Sequence, residues 1–301
     1  MGDTPLDPIA ALGELVCYPV STPEEARARV GDCDVLIINK VVVDKALLDS
    51  APGLKLVCES ATGVNNIDVA ECEARGIPVK NVAGYSTDSV VQATFMHVLS
   101  LMGSAPYFDA KVKSGEYSAS PIFTDVSRPF IEMNGKVYGI VGMGTIGSKV
   151  AKVAEAFGMK VIYYSTSGTG HCKEYPSVSL DVLMSSSDVI SIHAPYNGRT
   201  AGLIGERELR LMKPTAFIVN MGRGGIIDED ALAKVVGEGA IGGAALDVFE
   251  KEPLPADSPL LHSGQPERFR FTPHTAWASV EARSRLVGMI ADNICVWEES
   301  L

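Results

Sequence analysis

A six-residue run, Lys136–Val141 (KVYGIV), leads without a break into Gly142-Met143-Gly144-Thr145-Ile146-Gly147, and a helical pattern follows from Ser148 to Phe157 before Gly158. A glycine triplet at this spacing is a weak signal alone, because glycine-rich turns are common. With a strand before it and a helix after it, it describes the first βα turn of a parallel sheet that binds a dinucleotide. Gly142 permits the tight turn, Gly144 lets the backbone approach a pyrophosphate, and Gly147 lets the helix pack close to the strand. The free amides and positive end of the helix then face the phosphates. The plainer alternative is a packing turn with no ligand, and the flanking strand and helix weigh against it.

The usual next element is an acid about 20 residues on, which binds the ribose 2′-hydroxyl. Here the strand Lys160–Tyr164 ends in Ser165-Thr166-Ser167, and no acid follows until Glu174. Without a carboxylate a 2′-phosphate meets no repulsion, and three hydroxyls can donate to it. No arginine is adjacent, and only His171 and Lys173 are near in sequence. NAD and NADP both stay open.

Around this turn the chain alternates strands and helices. Asp34–Asn39 (DVLIIN) and Leu54–Cys58 (LKLVC) read as buried parallel strands, their apolar residues continuous rather than alternating. Thr22-Pro23-Glu24-Glu25 predicts a helix start, with Thr22 as N-cap and Pro23 at the first position. Another helix is predicted over Glu71–Arg75, closed by Gly76 before a strand Pro78–Asn81. Ser86 to Met102 reads as a long, mostly apolar helix capped by Ser86 or Thr87, and His97 within it as a packed or interface residue rather than a ligand. Strands at Lys160–Tyr164, Val189–His193, Ala216–Asn220, Gly243–Leu246 and Phe269–Thr272 continue the series, before a closing helix from about Ser279 to Trp297. The alternation points to an α/β protein with two doubly wound parallel sheets.

Composition narrows the partners. A net charge of −11 argues against nucleic acid or an anionic membrane, because phosphates are repelled. The six cysteines form no CxxC pair, so no zinc or redox motif is indicated, and reduced thiols are expected. No apolar run is long enough to span a bilayer and Met1–Leu6 lacks the parts of a signal peptide, which makes the cytoplasm the default location.

Three segments end predicted strands with reactive side chains: Asn220-Met221-Gly222-Arg223-Gly224, the stretch Leu246–Pro253 with Asp247 and Glu252, and Thr272-Pro273-His274-Thr275. In open α/β sheets, ligands sit beyond the carboxyl ends of the strands. An arginine between glycines suits a carboxylate anchor, because guanidinium offers a bidentate fork. Taken singly, Arg223 reads more readily as a surface arginine, His274 as a core histidine and Glu252 as a solvent-facing acid. Asp247, inside an apolar run, needs a partner.

Together with Ala61–Asp68 (ATGVNNID) and Ser191–Ile204 (SIHAPYNGRTAGLI), this order of motifs resembles the D-isomer-specific 2-hydroxyacid dehydrogenases, especially their glycerate dehydrogenase and hydroxypyruvate reductase branch. The resemblance covers nearly the whole chain. It implies two Rossmann-like domains with the active site in the cleft between them: residues 1–84 plus 275–301 for substrate, and 85–274 for the dinucleotide. Arg223 is then implied to hold the substrate carboxylate and polarise the carbonyl, and His274 to be the general acid for reduction. Glu252 is implied to orient the imidazole and stabilise its charged form, and Asp247 to bind the nicotinamide carboxamide. Gly63 and Val64 are implied to give amides to the carboxylate with Asn65 beside them, and Trp277 to border the pocket. The resemblance extends the cofactor site to His193, Pro195, Thr200, Asn220, Met221 and Gly222, assigns no metal, and makes Ser86–Met102 a dimerisation helix. The implied reaction interconverts a small 2-oxo acid, of hydroxypyruvate or glyoxylate type, and its D-2-hydroxy acid with NAD(P). An NAD(H)-sensing regulator on the same fold, or an oxidoreductase of phosphite or formate, is the alternative. Such chains usually begin with a strand before the segment equivalent to Asp3–Leu6 and extend beyond Leu301, so both ends read as clipped.

Overall fold

The computed structural model describes residues 2–170 and 172–300; His171, noted above beside the serine-rich turn, lies outside them. The chain forms two compact units, Met1–Ser86 with Ala278–Leu301, and Thr87–Trp277.

The first unit is built on a three-stranded parallel sheet of β1 (Val35–Ile38), β2 (Leu56–Glu59) and β3 (Val79–Lys80), in the order β1-β2-β3. Register places Val35 beside Leu56, and Val57 beside Val79. Val57 is fully buried, and around it pack Val43, Leu47, Leu48 and Cys72. The helix Pro23–Val30 starts where its residues dictate: the Glu25 amide donates to Thr22 Oγ1 at 3.2 Å, and the Thr22 amide donates to Glu25 Oε2 at 2.8 Å. This reciprocal cap satisfies two amides that the first turn leaves without partners. The expectation of a doubly wound sheet is corrected in this unit. Each βα step adds its strand on the same side, so the order has no reversal, and among the described residues no strand precedes β1.

The second unit holds a six-stranded parallel sheet: β4 (Val137–Val141), β5 (Lys160–Tyr164), β6 (Val189–Ile192), β7 (Phe217–Asn220), β8 (Gly243–Leu246) and β9 (Phe269–Phe271). Their order is β5-β4-β6-β7-β8-β9. The chain adds β5 on one side of β4 and then crosses to the other for β6, so this sheet is doubly wound with its switch between β4 and β6. β6, β7 and β8 are buried along their whole length, which explains why they read as unbroken apolar runs. Alternate side chains feed two cores: Ile190, Ile192 and Ile218 one, and Val189, Phe217 and Val219 the other. The helix Thr87–Met102 joins the second core through Val91, Phe95, Val98 and Met102, and Phe95 stacks on Tyr138 of β4 at 5.9 Å between centroids.

His97 is packed, with 3% of its surface exposed. All six cysteines are free thiols. Among the described residues no helix is long and apolar enough to cross a membrane.

Candidate active site

The glycine turn leaves β4 with Gly142 at φ 95°, a backbone region that favours glycine, and a Cβ there would meet the Ala194 amide nitrogen at 3.0 Å. Gly147 lies so close to the Gly142 carbonyl that no side chain fits between helix and strand. Gly144 differs from both. It caps the helix Thr145–Ala156, and nothing lies within 4 Å of where its Cβ would be. The turn is tight behind and open in front, as backbone amides that receive a phosphate require.

The open side faces a cavity of about 620 Å³, lined by the turn, by Ser165, Thr166 and Ser167 after β5, and by His193 and the loop after β6. This placement follows from the strand order, since β5 and β6 flank β4 and end level with it: Val141 registers with Tyr164 and with Ile192. His193 Nε2 lies 2.9 Å from Ser191 Oγ, while Nδ1 is buried with no protein partner among the described residues. Burial pushes the His193 pKa down to about 3, so the ring is neutral. A buried ring nitrogen without a partner beside an open glycine turn fits a ligand that brings its own polar groups. The loop after β6 is stiff. The Asn197 amide donates to Thr200 Oγ1 at 2.9 Å, and that hydroxyl donates to the Pro195 carbonyl at 2.6 Å.

Further along the sheet, the ends of β7, β8 and β9 carry the charged residues. Asn220 folds the turn after β7 on itself: its Oδ1 accepts from the Gly222 amide at 3.0 Å, and its Nδ2 donates to the Arg223 carbonyl at 2.9 Å. Met221 and Gly222 are buried in that turn and Arg223 is exposed, with no carboxylate partner among the described residues. Asp247, just after β8, is 2% exposed. Its Oδ1 accepts from Thr272 Oγ1 at 2.6 Å and from the Thr275 amide at 2.8 Å, and the Ala276 amide reaches Oδ2 at 3.0 Å. The buried acid therefore has its partners, and they fix the 272–276 segment. Thr272 also lies 3.0 Å from His97 Nε2. Because the Thr272 hydroxyl gives its proton to Asp247, it accepts from His97, which sets the His97 tautomer. Burial lowers the His97 pKa and keeps that ring neutral.

Within this braced segment His274 adopts φ 54°, a left-handed backbone rare for a residue with a side chain. Its amide donates to the Asp247 carbonyl at 2.8 Å. Its Nδ1 meets both carboxylate oxygens of Glu252, at 2.9 and 2.8 Å. Glu252 Oε1 also accepts from the Phe249 amide at 3.2 Å. A carboxylate fixing Nδ1–H leaves Nε2 as the ring nitrogen with no hydrogen bond among the described residues.

Comparison with known proteins gives the family. Residues 95–276 match the model of the family described as D-isomer specific 2-hydroxyacid dehydrogenase, NAD binding domain. The chain belongs to the D-isomer-specific 2-hydroxyacid dehydrogenases. It is 33% identical to a hydroxypyruvate reductase from Blautia hydrogenotrophica, over 97% of this chain and 92% of that protein. It superposes on the D-lactate dehydrogenase of Aquifex aeolicus, solved with NAD and lactic acid, with a TM-score of 0.84, 28% identity, and 98% and 91% of the two chains covered. An NADPH-dependent glyoxylate/hydroxypyruvate reductase from Sinorhizobium meliloti, solved with NADP and malonate, gives a TM-score of 0.83 at 25% identity, with 98% and 91% covered.

In this dehydrogenase the turn, the serine-rich segment, His193, Pro195, Thr200, Asn220–Gly222, Asp247 and the Arg223, Glu252 and His274 set all lie in the second unit, where Trp277 is the last residue. Gly63, Val64 and Asn65 belong to the first. They follow β2 in a loop braced by Asn66, whose Nδ2 donates to the Val41 carbonyl and to buried Glu59, both at 2.8 Å. The amides of Gly63, Val64 and Asn65 donate no hydrogen bond among the described residues, so they are available to an anion.

Glu59 is not singled out by the sequence; Thr272 and Arg199 stand inside quoted motifs without a role of their own, and His97 reads there as packed and not as a brace. Glu59 carries no motif beyond being polar at a strand end. Among the described residues no group of three His, Cys, Asp or Glu side chains could hold a metal ion.

Proposed function

We propose that this dehydrogenase reduces a small 2-oxo acid, of the hydroxypyruvate or glyoxylate type, to the D-2-hydroxy acid, with Arg223, Glu252 and His274 as the working set. The observation that carries the reading is the bidentate approach of His274 Nδ1 to Glu252, which directs Nε2 to the reaction. NAD(P)H, when bound, supplies the hydride. A carbonyl that accepts hydride becomes an alkoxide, and His274 Nε2 gives it a proton. Arg223 holds the substrate carboxylate in its guanidinium fork and stabilises charge on the carbonyl oxygen. Gly63, Val64, Asn65 and Trp277 keep the substrate-binding roles that the resemblance implies.

The residues suited to hold the cofactor are Gly142–Gly147 with Met143, Thr145 and Ile146 between the glycines, Ser165 and Thr166, His193, Pro195, Thr200, and Asn220–Gly222. Asp247 receives three protein donors, and a carboxylate takes about four. Among the described residues Oδ2 accepts only from the Ala276 amide, which makes it the oxygen suited to the carboxamide.

A homodimer belongs to the same reading. Met96 and Leu99 are exposed on the helix Thr87–Met102, and Ile122, Phe123, Val126 and Phe130 follow in an irregular segment, Phe123 being 89% exposed. A monomer rarely leaves such a patch in water. Free thiols in all six positions support a reducing compartment, the cytoplasm.

The test is loss of absorbance at 340 nm with NADH and NADPH against hydroxypyruvate, glyoxylate and pyruvate, for wild type and His274→Ala. Turnover with a 2-oxo acid, reduced about 10²–10⁴-fold in the variant while cofactor affinity holds, is the expected result. Near wild-type turnover in His274→Ala removes the assignment of the acid. Cofactor binding without turnover moves the reading to a sensor.

A further inference from the structure

We propose that Arg199, acting with Ser165, Thr166 and Ser167, forms a subsite for the 2′-phosphate of NADPH, and that this enzyme prefers NADPH to NADH. The proposal rests on the reading of the glycine-turn cavity as the cofactor site. All four residues line that cavity, and no aspartate or glutamate does.

The arginine comes from the far side of β4. Its Nη1 donates to the Ser167 carbonyl at 2.5 Å, and it passes 3.6 Å from where a Cβ on Gly168 would stand. The guanidinium is thus held against the serine-rich turn by a backbone contact that uses one of its five N–H groups, leaving the others for an anion. Its approach is built rather than accidental, because the Arg199 amide donates to Asn197 Oδ1 at 2.9 Å in the loop already locked by Thr200. Arg199 has no carboxylate partner among the described residues. In a chain of net charge −11, whose other arginines mostly pair with acids, a cation at a cavity wall without a counter-ion marks a place for an anionic ligand.

The hydroxyls complete the set. Ser165 Oγ lies 3.1 Å from Ser167 Oγ, and both donate to the Thr169 carbonyl, at 2.6 and 3.2 Å. They converge at one point of the turn, and a phosphate there competes for their protons with a stronger acceptor than a neutral carbonyl. A ribose 2′-hydroxyl is best matched by a carboxylate, which this wall lacks, and it leaves the guanidinium charge without a counter-ion. A phosphate is matched in both charge and donors, and a hydroxyl in hydrogen bonding alone.

The experiment measures binding rather than turnover. Adenosine 2′,5′-bisphosphate and adenosine 5′-monophosphate are titrated into the full-length wild type, Arg199→Ala and Arg199→Lys by calorimetry, at constant ionic strength. Wild type is expected to favour the bisphosphate about 10- to 100-fold. Arg199→Ala should erase most of that preference with monophosphate affinity unchanged, and Arg199→Lys should retain part of it. Equal affinity of wild type for the two nucleotides overturns the proposal and leaves the dehydrogenase reading standing. A preference that survives Arg199→Ala removes Arg199 from the subsite. Failure of both nucleotides to bind overturns the cofactor reading of the cavity itself.

Discussion

His274 Nδ1 lies 2.9 and 2.8 Å from the two carboxylate oxygens of Glu252, and the His274 backbone is held at φ 54°. Such a backbone costs about 1–3 kcal/mol and persists only where its surroundings over-determine it. Here they do: the amide is tied to the Asp247 carbonyl and the ring to Glu252. Strain is spent on aim, and Nε2 points where neither anchor is.

If that aim depends on Glu252, Glu252→Gln should lower kcat for 2-oxo acid reduction by about 10²–10⁴-fold, because an amide neither fixes the tautomer nor stabilises the charged ring. KM for the cofactor should hold within about threefold, since Glu252 does not line the cofactor cavity. Steady-state kinetics on both substrates decide it. A KM effect with normal kcat would assign Glu252 to binding instead.

Asp247 is braced in turn by Thr272, whose hydroxyl donates to it at 2.6 Å and lies 3.0 Å from His97 Nε2. Thr272→Val keeps the shape and removes both bonds. It should cost about 1.5–3 kcal/mol in urea unfolding, the range for a hydrogen bond to a charged group. Reduction should slow as well, because the segment carrying His274 loosens. A stability change below about 0.5 kcal/mol would show that the chain from His97 to Asp247 bears no load.

Much of this architecture is legible in the sequence, and the exceptions share a cause. Unbroken apolar runs reveal β6 to β8 because those strands are covered on both faces. The glycine turn is legible because each glycine meets a separate steric demand. Arg199 is not, because it stands 32 residues from Ser167 and reaches it only through the order β5-β4-β6. Strand order is also what the residues of the smaller sheet conceal: β1-β2-β3 has the same local pattern as a doubly wound sheet. Local chemistry announces elements, and juxtapositions across a crossover need the fold.

Glu59, 2% exposed at the end of β2, tests the pH behaviour of the first unit. Burial raises its pKa, and the hydrogen bond from Asn66 opposes this only in part. A carboxyl whose folded pKa lies above its unfolded value contributes stability at pH below the unfolded value and loses it as pH rises through the folded one. Glu59→Gln keeps an acceptor for Asn66 without a buried charge. The variant should therefore gain melting temperature over wild type at pH 8, and the gain should shrink on acidification towards pH 4.5, the ordinary value. A gain that grew on acidification would reverse the sign and place a stabilised carboxylate at this position.

The exposed apolar residues of the second unit make the last prediction. Phe123 and Val126 are 89% and 86% exposed, so Phe123→Ser with Val126→Ser removes no packing from an isolated chain and should change its intrinsic stability by no more than about 0.5 kcal/mol per site. In a homodimer the same residues are desolvated, and burying each is worth roughly 1.5–3 kcal/mol for the larger side chains. Lost from both copies, that contribution should move the association constant by orders of magnitude. Sedimentation equilibrium should find wild type at twice the chain mass and the double variant at or near the chain mass, with circular dichroism unchanged. A wild type that sediments as a monomer rejects the dimer. A variant that stays dimeric moves the interface away from this segment, with Met96 and Leu99 next to be changed.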